Sequence, residues 1–97
     1  MEDLLNIANK TFNSRLMTGT GKHKTVNDLL QAVNLSETEI ITVAIRRLDL
    51  NNPRKKTILD HLDWSKYQIL PNTAGSRTAK EAIFTAKMAR EVTGSNW

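Results

Sequence analysis

Glu39-Ile-Ile-Thr-Val-Ala-Ile45 is the stretch whose reading decides the fold. After Glu39 every residue is apolar except Thr42, which is itself β-branched. So short and continuous a run suits a strand buried on both faces, the condition of strands in a parallel sheet. Upstream, Val26, Leu29, Leu30 and Val33 fall at helical spacing behind Thr25, a suitable N-cap. Before them, residues 15–20 (RLMTGT) are short and partly apolar and run into Gly21, which predicts a strand ending in a tight turn. Downstream, Asn51-Asn52-Pro53 breaks the chain, and residues 58–63 (ILDHLD) predict a helical turn. Residues 67–70 (YQIL) predict a third strand, stopped by Pro71. Thr78-Ala-Lys-Glu81 then has the pattern of a capping box. The helix it opens is expected to show a small-residue face of Ala79, Ile83, Ala86, Ala89 or Arg90, and Val92, with Gly94 at its C-terminal end. Ser95-Asn96-Trp97 reads as the approach to another strand.

The strand starts at 15, 39 and 67 are 24 and 28 residues apart. A (β/α)8 barrel of about 250 residues allots roughly 31 to each βα unit. Alternation of strands and helices predicts a parallel α/β sheet with right-handed crossovers. Three such units neither close a barrel nor cover their edge strands. Residues 1–97 are therefore expected to form the N-terminal portion, about a third, of a single larger domain.

The composition is that of a globular chain, with 39% hydrophobic and 25% charged residues among 97. No apolar run approaches the roughly 18 residues of a membrane span. The opening MEDLLNIANK puts acidic residues before a short apolar stretch, unlike a secretory signal. With no cysteine there are no disulfides, no thiolate nucleophile and no Cys-ligated zinc. The net charge of +4 is local. Arg46, Arg47, Arg54, Lys55 and Lys56 against Asp49 account for all of it, so the remainder is neutral. No aromatic residue interleaves that cluster and no DNA-binding motif surrounds it, so it is read as a solvated βα loop before a nucleic-acid surface.

Gly19-Thr20-Gly21-Lys22 fails as a phosphate loop, because Leu16 and His23 stand where glycine and Ser/Thr are needed. Lys24 likewise replaces the third glycine of a dinucleotide fingerprint. The segment is read as a βα turn, with Thr20 at the strand end where barrel chemistry sits. Alternation groups Thr42, Ala44 and Arg46 on one face, which predicts that Arg46 points inward as an anion ligand. Asn72 and Thr73 follow the third strand directly, where they either face the same site or serve the turn after Pro71. His23 and His61 lie in no metal-ligand spacing, and Asp60 and Asp63 are read as a solvated pair. Trp64 and Tyr67 are read as packing residues. No metal or cofactor is expected.

Three stretches together resemble the bacterial thiazole synthases of thiamine biosynthesis. They are Phe12-Asn-Ser-Arg-Leu16 with Gly19-Thr-Gly-Lys22, then Ile41-Thr-Val-Ala-Ile-Arg-Arg47, and above all Leu70-Pro-Asn-Thr-Ala-Gly-Ser-Arg-Thr-Ala79. The resemblance covers essentially the whole chain but about the first third of that enzyme, and the Asn51–Lys56 loop departs from it. It implies a (β/α)8 barrel preceded by an N-terminal β-hairpin around Ile7 and Phe12. It implies condensation of 1-deoxyxylulose 5-phosphate, dehydroglycine and sulfur from a carrier-protein thiocarboxylate. It also implies a homo-oligomeric enzyme of the cytoplasm. The family's Schiff-base lysine lies in a segment beginning Asn-Trp-Ile-Lys, which places it just beyond Trp97. No lysine within the chain is expected to replace it: Lys22 lies in a loop, and Lys80 and Lys87 on an outward helix face. Catalysis by these residues alone is not expected. Two other readings stand beside this one: a small basic nucleic-acid-binding module using Arg46–Lys56, and an α/β fragment that self-associates through open strand edges.

Overall fold

A computed structural model describes residues 3–21, 23–48 and 57–97. The chain opens with an antiparallel hairpin, β1 (Leu5–Ile7) and β2 (Lys10–Phe12), in which Leu5 faces Phe12 and Ile7 faces Lys10. Ala8 and Asn9 both take positive φ, 49° and 66°, the twist that a two-residue hairpin loop needs. A parallel sheet follows, with strand order β3 (Met17–Gly19), β4 (Ile40–Ala44), β5 (Gln68–Asn72). Helix α1 (Val26–Ser36) joins β3 to β4, and α2 (Ala79–Thr93) follows β5. The link from β4 to β5 contains 3-10 turns at Ile45–Arg47 and Ile58–Asp60. The fold is thus a mixed α/β arrangement with a three-stranded parallel core. Among the described residues, no helix is long and apolar enough to cross a membrane.

Each element has a local cause. Thr25 accepts from the Asp28 amide at 3.0 Å and starts α1, which then buries Leu29 and Val33. These pack with Ile41 and Leu62, and Ile58, Trp64 and Tyr67 close around them. Trp64 Nε1 also donates to the Leu59 carbonyl at 2.9 Å, so both aromatics are packing residues, as expected. Ile41 and Val43 thus face the helical layer. The intervening Thr42 and Ala44 face the other side.

Three expectations are corrected. Pro71 does not stop the third strand, because β5 runs through it to Asn72 in register with Ala44. The Gln68 amide bonds the Glu39 carbonyl at 2.9 Å, so the amides of residues 68, 70 and 72 point at β4. The nitrogen of Pro71 therefore lies on the open edge, where a missing donor costs nothing. The buried face of α2 is also rotated: Thr85 and Ala89 are buried, whereas Ile83 and Phe84 are 56% and 64% exposed. Finally, the capping box is incomplete. Thr78 Oγ1 accepts from the Glu81 amide at 3.1 Å, but the Glu81 carboxylate reaches back one residue further, to the Arg77 amide at 2.7 Å.

The hairpin closes the N-terminal end of the sheet. Glu39 Oε1 accepts from the amides of Asn13 and Ser14, both at 2.9 Å. The Lys10 ammonium donates to Gln68 at the start of β5 and lies 5.9 Å above the Trp97 ring. Trp97, at the end of the segment read as the approach to another strand, packs edge-on against Phe12, with ring centroids 5.9 Å apart. That end is filled. The other is open.

Candidate functional site at the strand ends

At the C-terminal ends of β3, β4 and β5 lies a cleft of about 420 Å³. Gly19, Thr20 and Gly21 form one wall, Thr42 and Ala44 part of the floor, and Asn72 and Ala74 the opposite wall. Leu48, Thr57 and Ile58 add a largely apolar side. Parallel strands dictate this placement, because their last side chains converge where the chain turns away to its helix.

Asn72 is held from two directions. Its Nδ2 donates to Thr42 Oγ1 at 2.9 Å, and its Oδ1 accepts from the Ala74 amide at 3.1 Å. The first bond crosses to the neighbouring strand, and the second folds the following turn. Having accepted from Asn72, the Thr42 hydroxyl retains its own proton for a ligand, and Asn72 retains a second N–H. A preset pair of neutral donors can orient a hydroxyl, carbonyl or phosphate oxygen.

The expected site residues divide. Thr20 and Asn72 meet in the cleft. Thr73 adjoins it without belonging to its lining, and its carbonyl accepts from the Ser76 amide at 3.1 Å. Arg46 does not point into it. Strand pairing ends at Ala44 and a 3-10 turn begins at Ile45, so the two-residue alternation is lost before Arg46 is reached. The Arg46 guanidinium instead donates to the Gly75 carbonyl and lies 3.9 Å from Glu81 Oε2, tying this turn to the β5–α2 loop. Among the described residues, the cation that lines the cleft is Arg47. Thr42 and Arg47 are the two site residues that the sequence reading left out. Alternation already put Thr42 on the inward face, whereas no sequence signal marks the turn that exchanges Arg46 for Arg47.

The remaining chemistry-bearing residues lie elsewhere. The His23 ring is 3.4 Å from the Gly19 carbonyl, and His61 is exposed. Asp63 is the one described group whose carboxyl is clearly shifted. It lies below the usual aspartate range because the side chain and amide of Ser65 donate to it and Lys66 is nearby. Asp63 belongs to a surface turn and is not among the residues lining the cleft. Lys22, Asp49, Arg54, Lys55, Lys56 and the Asn51–Pro53 breaker lie outside the described residues. Among the described residues, no three His, Asp or Glu side chains come close enough to hold a metal ion.

The family model of the thiazole biosynthesis protein ThiG matches residues 6–97. The chain is 52% identical over 96 residues to the thiazole synthase of Aquifex aeolicus, covering 99% of this chain and 36% of that protein. It is 48% identical over 97 residues to the thiazole synthase of Cytophaga hutchinsonii, covering 100% and 37%. For that of Geotalea uraniireducens the identity is 51% over 89 residues, covering 92% and 34%. The chain thus spans about a third of the length of the curated relatives it matches.

Proposed function

The chain belongs to the thiazole synthase family of the thiazole biosynthesis protein ThiG, and from that premise we propose that it forms the first part of a (β/α)8 barrel making the thiazole phosphate of thiamine. In this reading residues 1–97 are the N-terminal hairpin and the first three βα units of one domain. The substrates are 1-deoxyxylulose 5-phosphate, dehydroglycine and the thiocarboxylate of a sulfur-carrier protein, in a cytoplasmic homo-oligomer. One observation carries it: the C-terminal ends of the three parallel strands open onto one polar cleft, while the hairpin fills their N-terminal ends. Barrel enzymes work at the former end. The edges of β3 and β5 that stay unpaired among the described residues are the edges that barrel closure uses.

Thr20, Thr42 and Asn72 position the sugar through its oxygens. Thr73 and Arg46 hold the loop after β5 that carries Ala74. Covalent chemistry comes from the family's lysine on the next strand, past Trp97. Its neutral amine adds to the sugar ketone, water leaves, and the resulting imine acidifies the adjacent carbons. A chimera tests this, joining residues 1–97 to the remaining two thirds of the Aquifex aeolicus enzyme. With 1-deoxyxylulose 5-phosphate and borohydride, it is expected to give one reduced adduct on that lysine, detected by mass spectrometry. A folded chimera that gives no adduct contradicts the proposal.

A further inference from the structure

We propose that Arg47, laid over Gly21, is the anion-binding residue of the cleft and takes an oxyanion of its ligand, a phosphate monoester or a carboxylate. This rests on the reading of the cleft as a substrate site. It adds a contact that the sequence motifs did not assign.

Among the described lining residues, Arg47 is the only charged one. A low-dielectric wall such as Leu48 and Ile58 strengthens its field. Gly21 leaves room for the guanidinium to lie close. A Cβ built at position 21 would come within 3.0 Å of Arg47 Nη1, closer than ordinary side-chain contact. The β3–α1 turn therefore presents bare backbone where the arginine crosses. Gly21 takes no left-handed φ, so its backbone alone does not call for glycine, whereas the approach of Arg47 favours it. The planar fork of arginine suits two oxygens of one phosphate or carboxylate. The Thr42 hydroxyl and the second N–H of Asn72 supply neutral donors deeper in the cleft, so charge and orientation come from separate groups.

The test titrates the 97-residue chain with inorganic phosphate and, separately, with acetate at constant ionic strength. The readouts are the amide signals of Gly19 and Gly21 and the Arg47 side-chain Nε signal. Saturable shifts of these signals are expected. A stronger response to phosphate assigns the subsite to the sugar phosphate, and a stronger response to acetate assigns it to a carboxylate substrate. Arg47→Gln is expected to weaken binding by about tenfold, the loss of one charge-assisted hydrogen-bonded contact. Gly21→Ala keeps the charge but displaces the guanidinium, so a smaller loss of about threefold is expected, corresponding to a lengthened contact. Lys87→Gln removes the same charge from the outer face of α2 and should bind as the parent does. The proposal is overturned if neither anion moves these signals, if Arg47→Gln binds as tightly as the parent, or if Lys87→Gln weakens binding equally. Trapping the lysine imine in the chimera does not depend on Arg47, so failure here leaves the assignment of the reaction standing.

Discussion

Replacing Asn72 with alanine removes two hydrogen bonds, one to the Thr42 hydroxyl and one from the Ala74 amide. Each contributes about 1 kcal/mol net, so Asn72→Ala is expected to cost about 2 kcal/mol. Thr42→Val keeps the shape of the floor but removes the acceptor, leaving one N–H of Asn72 facing an open cleft. Water can reach that N–H, so the cost is held to about 1 kcal/mol. The Thr42–Asn72 bond is counted in both single variants. The double variant should therefore cost about 2 kcal/mol, with a coupling energy near 1 kcal/mol. Urea unfolding followed by tryptophan fluorescence reads all four chains, because Trp64 lies against the core and Trp97 against Phe12. Strict additivity, with a coupling below about 0.3 kcal/mol, would show that the two side chains do not meet and that the strand ends are not preorganised.

Gly75 has φ +92° and lies beneath Arg46, so Gly75→Ala should destabilise by about 1–2 kcal/mol through backbone strain, seen as a lower thermal midpoint. Thr78→Ala deletes the N-cap of α2 and should cost about 1 kcal/mol, with faster amide exchange confined to the first turn. The lowered Asp63 carboxyl fixes the sign of a pH effect. Its contribution to the Asp63–Tyr67 turn is complete above the ordinary aspartate value and is lost as pH falls through the lowered folded value. Amide exchange at Ser65, corrected for intrinsic pH dependence, should therefore accelerate only below the usual aspartate range. Asp63→Asn should abolish that acid-induced change. Equal protection of Ser65 on both sides of the transition would contradict it.

How far the sequence could be read depended on how each element is stabilised. The strand at 40–44 and the helix after Thr25 were legible because continuous β-branched residues and an N-cap before helical spacing each have one structural outcome. The rotation of α2 was not legible. Alanines at 79, 82, 86 and 89 share one face, but Ile83 and Phe84 beside them are the larger apolar residues, so the sequence does not centre the buried face, and packing against the sheet and the turn after β4 selects it. Pro71 was read as a stop because the sequence does not say which way a strand nitrogen points. For the same reason Arg46 and Arg47 exchanged roles, since one 3-10 turn after Ala44 rotates both side chains. Asn72 and Thr20 were legible from their place at strand ends. The partner of Asn72, Thr42, needed the register.

The most direct measurement of the central claim is a residue-resolved titration of the Aquifex chimera with 1-deoxyxylulose 5-phosphate, following backbone amide and asparagine side-chain signals of residues 1–97. The predicted result is saturable change concentrated at Gly19, Thr20, Gly21, Thr42, Asn72 and Ala74. Change confined to the Phe12 hairpin, or to the outer face around Ile45 and Phe84, with the strand ends unmoved, would contradict it.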